Sequence, residues 1–116
     1  MDTTQSREYI IENKILQYLA KLNIGFFWKN ASGGFFDGTT FRKHASPFAI
    51  NGTSDILGVL KSGRFVALEV KDKGKLSKAQ EAFIQKVMSC GGLASVVHSV
   101  DDVRQLLESE EVVSVI

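Results

Sequence analysis

The chain is poor in the residues that cross-link small proteins or hold soft metals. Its 116 residues include one cysteine, Cys90, one proline, Pro47, and two histidines, His44 and His98. A lone cysteine makes no internal disulfide, so a reducing, cytoplasmic setting is expected. One cysteine and two histidines also fall short of a structural zinc set, so any metal is expected to be a hard one held by carboxylates. Long apolar runs are missing as well. No segment approaches the ~20 apolar residues that span a bilayer, and the opening MDTTQSREY is too polar and acidic to read as a signal peptide. Neither sign of charge dominates, since 14 Lys and Arg face 13 Asp and Glu. That balance hides an asymmetry: residues 1–100 carry 13 basic residues against 8 acidic ones, and residues 101–116 carry 1 against 5. The body is therefore mildly basic, which is compatible with a polyanionic partner.

What remains is an ordinary globular composition, 44% apolar and 23% charged, in a chain the length of one domain, 1–116. So small a chain has little spare surface, and a deep active site is expected to be shared with a second subunit. Residues 6–23 read as a helix, with Ile11, Ile15, Tyr18, Leu19 and Leu22 at helical spacing and Ser6 as N-cap. IGFFWK at 24–29 reads as a short aromatic strand. Residues 30–54 are irregular, holding four of the ten glycines and the only proline, with Phe35, Phe36, Phe41 and Phe48 interspersed. A loop of that length in a small domain is functional or disordered; its aromatics favour an ordered, contacting loop with a short strand or hairpin.

A hairpin follows, with strands near 55–60 and 65–71 around a KSG turn. Ser77 then caps a helix that ends at Gly91 and Gly92, with Phe83, Val87 and Cys90 on its core stripe. LASVVHSV reads as a strand that takes in His98, DDVRQLLES as a further capped helix, and VVSVI as a possible last strand. This order argues for an α/β fold, a mixed sheet flanked by helices.

The hairpin carries charge where burial is expected. In RFVALEVK, Val66, Leu68 and Val70 face one way, while Glu69 and Lys71 share the other face, ~7 Å apart. A KSGR turn can bring Asp55, at the start of the partner strand, near Glu69. As isolated letters, an acid and a base two apart on a strand are a solvated pair of little consequence. VALEV is apolar enough for a central strand, however, and there charges need a reason. Two adjacent carboxylates repel unless a cation offsets them. Mg²⁺ typically takes one or two carboxylates plus waters and phosphate oxygens. Lys71 could then orient or deprotonate a water, or steady charge on the phosphate, the parts that phosphodiester hydrolysis requires. Lys71 also opens the basic run KDKGKLSK, which suits a phosphate backbone.

GTSD at 52–55, EVK at 69–71 and LSKAQEAF at 76–83 resemble the PD-(D/E)XK nuclease superfamily, and more specifically its virus-type replication-repair nuclease (VRR-NUC) domain. The resemblance extends from the Ile11–Leu19 helix to the VVHSVDDV segment at 96–103. It implies a restriction-endonuclease-like core, with Asp55, Glu69 and the backbone carbonyl of Val70 as ligands of Mg²⁺ or Mn²⁺. Lys71 would be the catalytic lysine, Glu12 the first-helix acid, in competition with Glu8 one turn earlier, and Gln80 a site residue of the following helix. Ser77-x-x-Gln80 is also a capping box, and both roles can hold. The superfamily's proline before the aspartate is Ser54 here, a change of turn chemistry that removes no catalytic group. With no helix-turn-helix or zinc finger, recognition is expected to rest on backbone shape. Arg42, Lys43 and His44 in the loop, and Lys73, Lys75 and Lys78 beyond the strand, are the expected DNA contacts. The family analogy extends the expectation to a homodimer that cuts branched DNA such as four-way junctions. The alternatives are a flap, nick or single-strand nuclease, or a non-catalytic nucleic-acid-binding module.

Overall fold

In the computed structural model, residues 6–31, 35–36, 41–42 and 47–114 are described. Helix α1 (Arg7–Leu22) begins at Ser6, whose hydroxyl accepts the Tyr9 N–H, and ends at Asn23 in the left-handed conformation. Strands β1 (Gly25–Lys29), β4 (Ile56–Leu60), β5 (Phe65–Val70) and β6 (Leu93–Val97) form one sheet in the order β1-β4-β5-β6. The first three are antiparallel neighbours, and β5–β6 is parallel, joined through α2 (Lys78–Ser89). Helix α3 (Val100–Ser109) follows β6 and is capped by the Ser99 hydroxyl. Two short strands, β2 (Phe35–Phe36) and β3 (Phe41–Arg42), pair in the long loop as a small separate sheet.

The sheet divides the molecule into two unequal layers. On one face, Ile15 and Leu19 of α1 and Val103 and Leu107 of α3 pack against Ile56, Leu60, Val66, Leu68, Val70 and Val97. On the other, Ile84 of α2 packs with Ala67 and Ala94, supported by Leu57, Phe83 and Val87. Strand β5 lies between β4 and β6 with helices on both faces, so all five residues from Val66 to Val70 are buried. A core leucine such as Leu68 contributes about 1.5–3 kcal/mol by its burial. Gly58 in β4 serves packing across the sheet: a Cβ there would meet the Phe27 ring at 2.2 Å.

Three expectations from the sequence are corrected. VVSVI does not continue the sheet over its described residues 112–114. The Val112 N–H instead donates to the Leu107 carbonyl at 2.8 Å, with Glu111 at φ 59, so the segment finishes α3. Cys90 is exposed rather than core, because α2 stops at Ser89 and the chain turns away through Gly91 at φ 89. His98 lies one residue beyond β6 rather than within it.

Candidate active site

The antiparallel register pairs Ile56 with Leu68, so the next pair outward is Asp55 with Glu69, at the end of the strands opposite the hairpin turn. Asp55 is fixed there from both sides. Its carbonyl accepts the Asn30 N–H at 2.8 Å, and its Oδ2 accepts the Val70 N–H at 2.8 Å. The preceding GTS is shaped by the start of α2: Gly52, at φ 78, lies so close that a Cβ would sit 2.3 Å from the Ala79 carbonyl carbon. Ser54 is fully buried and its Oγ has no hydrogen-bond partner.

Glu69 is 2% exposed, a carboxylate inside the sheet. Gln80 reaches it from α2, its Nε2 donating to Glu69 Oε2 at 3.3 Å, while Glu69 Oε1 accepts from no donor. The same Gln80 completes the capping box: its Oε1 accepts the Ser77 N–H and its N–H donates to Ser77 Oγ. The cap thus fixes the glutamine that reaches Glu69. Burial raises the Glu69 carboxyl to about 8, helped by a hydrogen-bonding contact with Asp55 and by the charge of Asp55 and opposed by Lys71. A site that penalises its own carboxylate in this way is suited to a cation.

Lys71 follows directly, its N–H donating to the Val97 carbonyl at 3.1 Å. Its carbonyl accepts from His98 Nδ1 at 2.9 Å. One residue on, the Asp72 N–H points to Glu8 Oε2 at 3.5 Å and the Asp72 carboxylate pairs with Arg7 at 2.9 Å. The exit of β5 is therefore tied to β6 on one side and to α1 on the other. Glu12, one turn after Glu8, is 7% exposed and pairs with Lys29 at 3.5 Å, a spacing long for a hydrogen bond; its Oε1 has no hydrogen-bond partner. Its carboxyl is pushed above the usual range by burial, with the charge of Asp55 adding and Lys29 opposing. The two candidate acids of α1 therefore differ: Glu12 is the buried one facing Asp55, and Glu8 braces the backbone after Lys71.

Asp55, Glu69, Val70, Lys71 and Gln80 are thus brought together, with Glu12 beside them. Lys73, Lys75 and Lys78 are exposed just beyond. Arg42 lies in β3, and Lys43 and His44 fall outside the described residues. Lys29, His98 and Arg7 were not singled out as site residues from the sequence. Lys29 meets Glu12 of α1, and His98 and Arg7 meet Lys71 and Asp72 at the β5 exit, contacts that only the tertiary packing reveals.

Among the described residues no three carboxylate, imidazole or thiolate groups converge into a ready-made cation cage. The donor set is sparser: Asp55, Glu69 with its unpartnered oxygen, and the main chain at Val70. That suits a hydrated Mg²⁺ or Mn²⁺ that shares its remaining positions with water and phosphate. The residues present fit such an ion.

Comparison with known families bears on this same region. Residues 49–101 match the family model of the VRR-NUC domain, a span that includes Asp55, β4, β5, α2 and β6. A search of curated proteins finds no match.

Proposed function

With residues 49–101 carrying a VRR-NUC match, and with it the chemistry of a nuclease of the PD-(D/E)XK type, we propose a divalent-metal-dependent DNA endonuclease centred on Asp55, Glu69 and Lys71. The observation that carries this reading is the buried Glu69 carboxylate, with one oxygen unpartnered, beside Asp55 and with Lys71 two residues on. An enclosed pair of carboxylates is costly unless a cation joins it.

Asp55 and Glu69 would hold Mg²⁺ or Mn²⁺ together with the Val70 carbonyl. Bound there, the ion would supply charge stabilisation at the scissile phosphate and acidify water. Gln80 holds Glu69 in place. Lys71, its backbone fixed by Val97 and His98, would orient the attacking water and, once it has lost its own proton, accept one from that water, or as an ammonium group stabilise the phosphate. The water oxygen bonds to phosphorus, the bond to the leaving oxygen breaks, and that oxygen gains a proton. Glu12 would complete the acidic cluster. Lys73, Lys75 and Lys78 would contact phosphates, joined by Arg42, Lys43 and His44 from the long loop.

The reading extends to branched DNA, cut by a homodimer whose paired sites suit a two-fold substrate such as a four-way junction. Labelled four-way, flap and linear DNA, incubated with Mg²⁺ or with EDTA, test it. Cleavage should require the metal and be lost in Asp55→Ala and Lys71→Ala. Full activity in either variant would remove the site assignment. Equal rates on linear and four-way DNA would remove the junction preference, and a monomer on sedimentation at micromolar concentration would remove the dimer.

A further inference from the structure

Strand β1 is an edge of the sheet, and its two faces differ. Phe27 packs into the core shared with α1, while Phe26 and Trp28 point the other way and are 64% and 39% exposed. Their rings stack, with centroids 5.4 Å apart and planes inclined by 27°. Helix α2, which covers that side of the sheet, packs on β5 and β6.

The register ties this pair to the carboxylates. Trp28 lies opposite Leu57, which lies opposite Ala67. One row outward, Asn30 is bonded to Asp55, and Asp55 faces Glu69. Ile56 and Leu68 face the α1 side, so Trp28, Leu57, Ala67, Asp55 and Glu69 share the other face. Trp28 therefore stands one row along and one strand across from Asp55, roughly 8 Å backbone to backbone, and roughly 12 Å from Glu69, two strands across. That is a reach of about one to two nucleotides of an extended single strand. Lys71 continues β5 outward from the Asp55–Glu69 row, and Trp28 lies one row inward from it.

We propose that Phe26 and Trp28 form a stacking platform for an unpaired nucleobase of a DNA strand whose phosphate lies at the Asp55–Glu69 row. This rests on the nuclease reading and deepens it. Paired bases are stacked within the helix, so the platform would favour nucleotides unpaired at a branch, flap or single strand. Every base has a π-face, so it would do so without reading sequence. A second copy of the chain is a poorer occupant. The two rings expose roughly 200 Å², against about 800 Å² per partner in a stable interface.

Trp28 is the only tryptophan, so its fluorescence reports on the platform alone. In EDTA, an oligothymidylate about a dozen nucleotides long should quench it, and a paired hairpin with the same number of phosphates or inorganic polyphosphate should not. Phe26→Ala and Trp28→Ala should weaken oligothymidylate binding roughly 5- to 100-fold, with most of the loss restored in Trp28→Phe. Equal quenching by polyphosphate would overturn the proposal. So would variants that change sedimentation but leave oligothymidylate affinity intact, since the pair would then pack against a second copy. Cleavage by the wild-type chain, scored in parallel with Mg²⁺, separates the two readings. Metal-dependent cutting without Trp28 quenching defeats the platform alone, whereas a chain that neither binds nor cuts any DNA defeats the nuclease.

Discussion

Replacing Glu69 with glutamine should stabilise the metal-free protein and abolish its response to divalent cations. The folded protein raises this carboxyl from 4.5 to about 8. Below about pH 4.5 both folded and unfolded chains hold the proton, and between there and about pH 8 the folded chain holds it more tightly. The unfolded state therefore binds fewer protons in that window, and wild-type stability should fall as pH rises through it. At about 1.36 kcal/mol per unit, the loss is on the order of 3 kcal/mol near pH 7 and 4–5 kcal/mol above pH 8. At 2% exposure little of this is screened by solvent.

Glutamine removes the titrating charge and keeps the shape of the side chain. Urea unfolding of wild type and Glu69→Gln in EDTA, from about pH 5 to pH 9, reads the difference. The variant should be more stable by a few kcal/mol near pH 9, with the gap closing to under about 1 kcal/mol near pH 5. Mg²⁺ should narrow that gap. A cation at about 100 times its Kd adds roughly 2.7 kcal/mol to the chain that binds it, and the variant, lacking the anionic ligand, should gain almost nothing. A gap that does not vary with pH, or a variant less stable than wild type at high pH, would refute the account of Glu69 as a carboxylate penalised by burial and reserved for a cation. Equal stabilisation of both chains by Mg²⁺ would place the cation elsewhere.

Further substitutions probe the frame around the site. Gly52→Ala places a Cβ 2.3 Å from the Ala79 carbonyl carbon at a φ of 78; it should cost on the order of 2–4 kcal/mol in urea unfolding and disturb Gln80. Ser54→Ala removes a buried hydroxyl that has no partner, so it should be neutral or stabilising by about 1 kcal/mol. Replacing Lys73, Lys75 or Lys78 by alanine should each lower the slope of log affinity against log salt by about 1 wherever that lysine meets a phosphate, and an unchanged slope would remove that residue from the contact surface.

How much of this was legible in the sequence follows the range of the interactions. Ser6 and Ser77 announced their helices because an N-cap acts over three residues, and the hairpin was readable because its turn is local. The Asp55–Glu69–Lys71 constellation was readable because hairpin register places two of its members and strand alternation the third. The errors came from chain ends, where local hydrogen bonds override side-chain preference. Val112 and Val113 are good strand formers, yet their N–H groups go to the Leu107 carbonyl. Cys90 keeps the helical spacing of Phe83 and Val87, but the helix has already ended. The braces from Arg7, Glu8, Lys29 and His98 were invisible because each depends on a contact set by tertiary packing. The run after Lys71 read as a basic stretch suited to a phosphate backbone, and the structure anchors its first member, Asp72, to α1.

Those braces bear on the case for a divalent ion at the proposed site. Five carboxylates are spread over this end of the sheet without converging on one point: Glu8, Glu12, Asp55, Glu69 and Asp72. Among the described residues, the cations paired with them or acting on them are Arg7, Lys29 and Lys71. Arg7 balances Asp72 and Lys29 balances Glu12, which leaves Glu8, Asp55 and Glu69 against Lys71. With Glu69 ionised, the deficit is two positive charges. Retaining a proton on Glu69 removes one of them, in the same direction as the shift that burial imposes on its carboxyl. A bound Mg²⁺ removes both and frees the proton. The charge that the fold leaves uncompensated is therefore the charge of the ion that the proposed chemistry requires, and Lys71 remains the one ammonium group of this set not paired with a structural carboxylate.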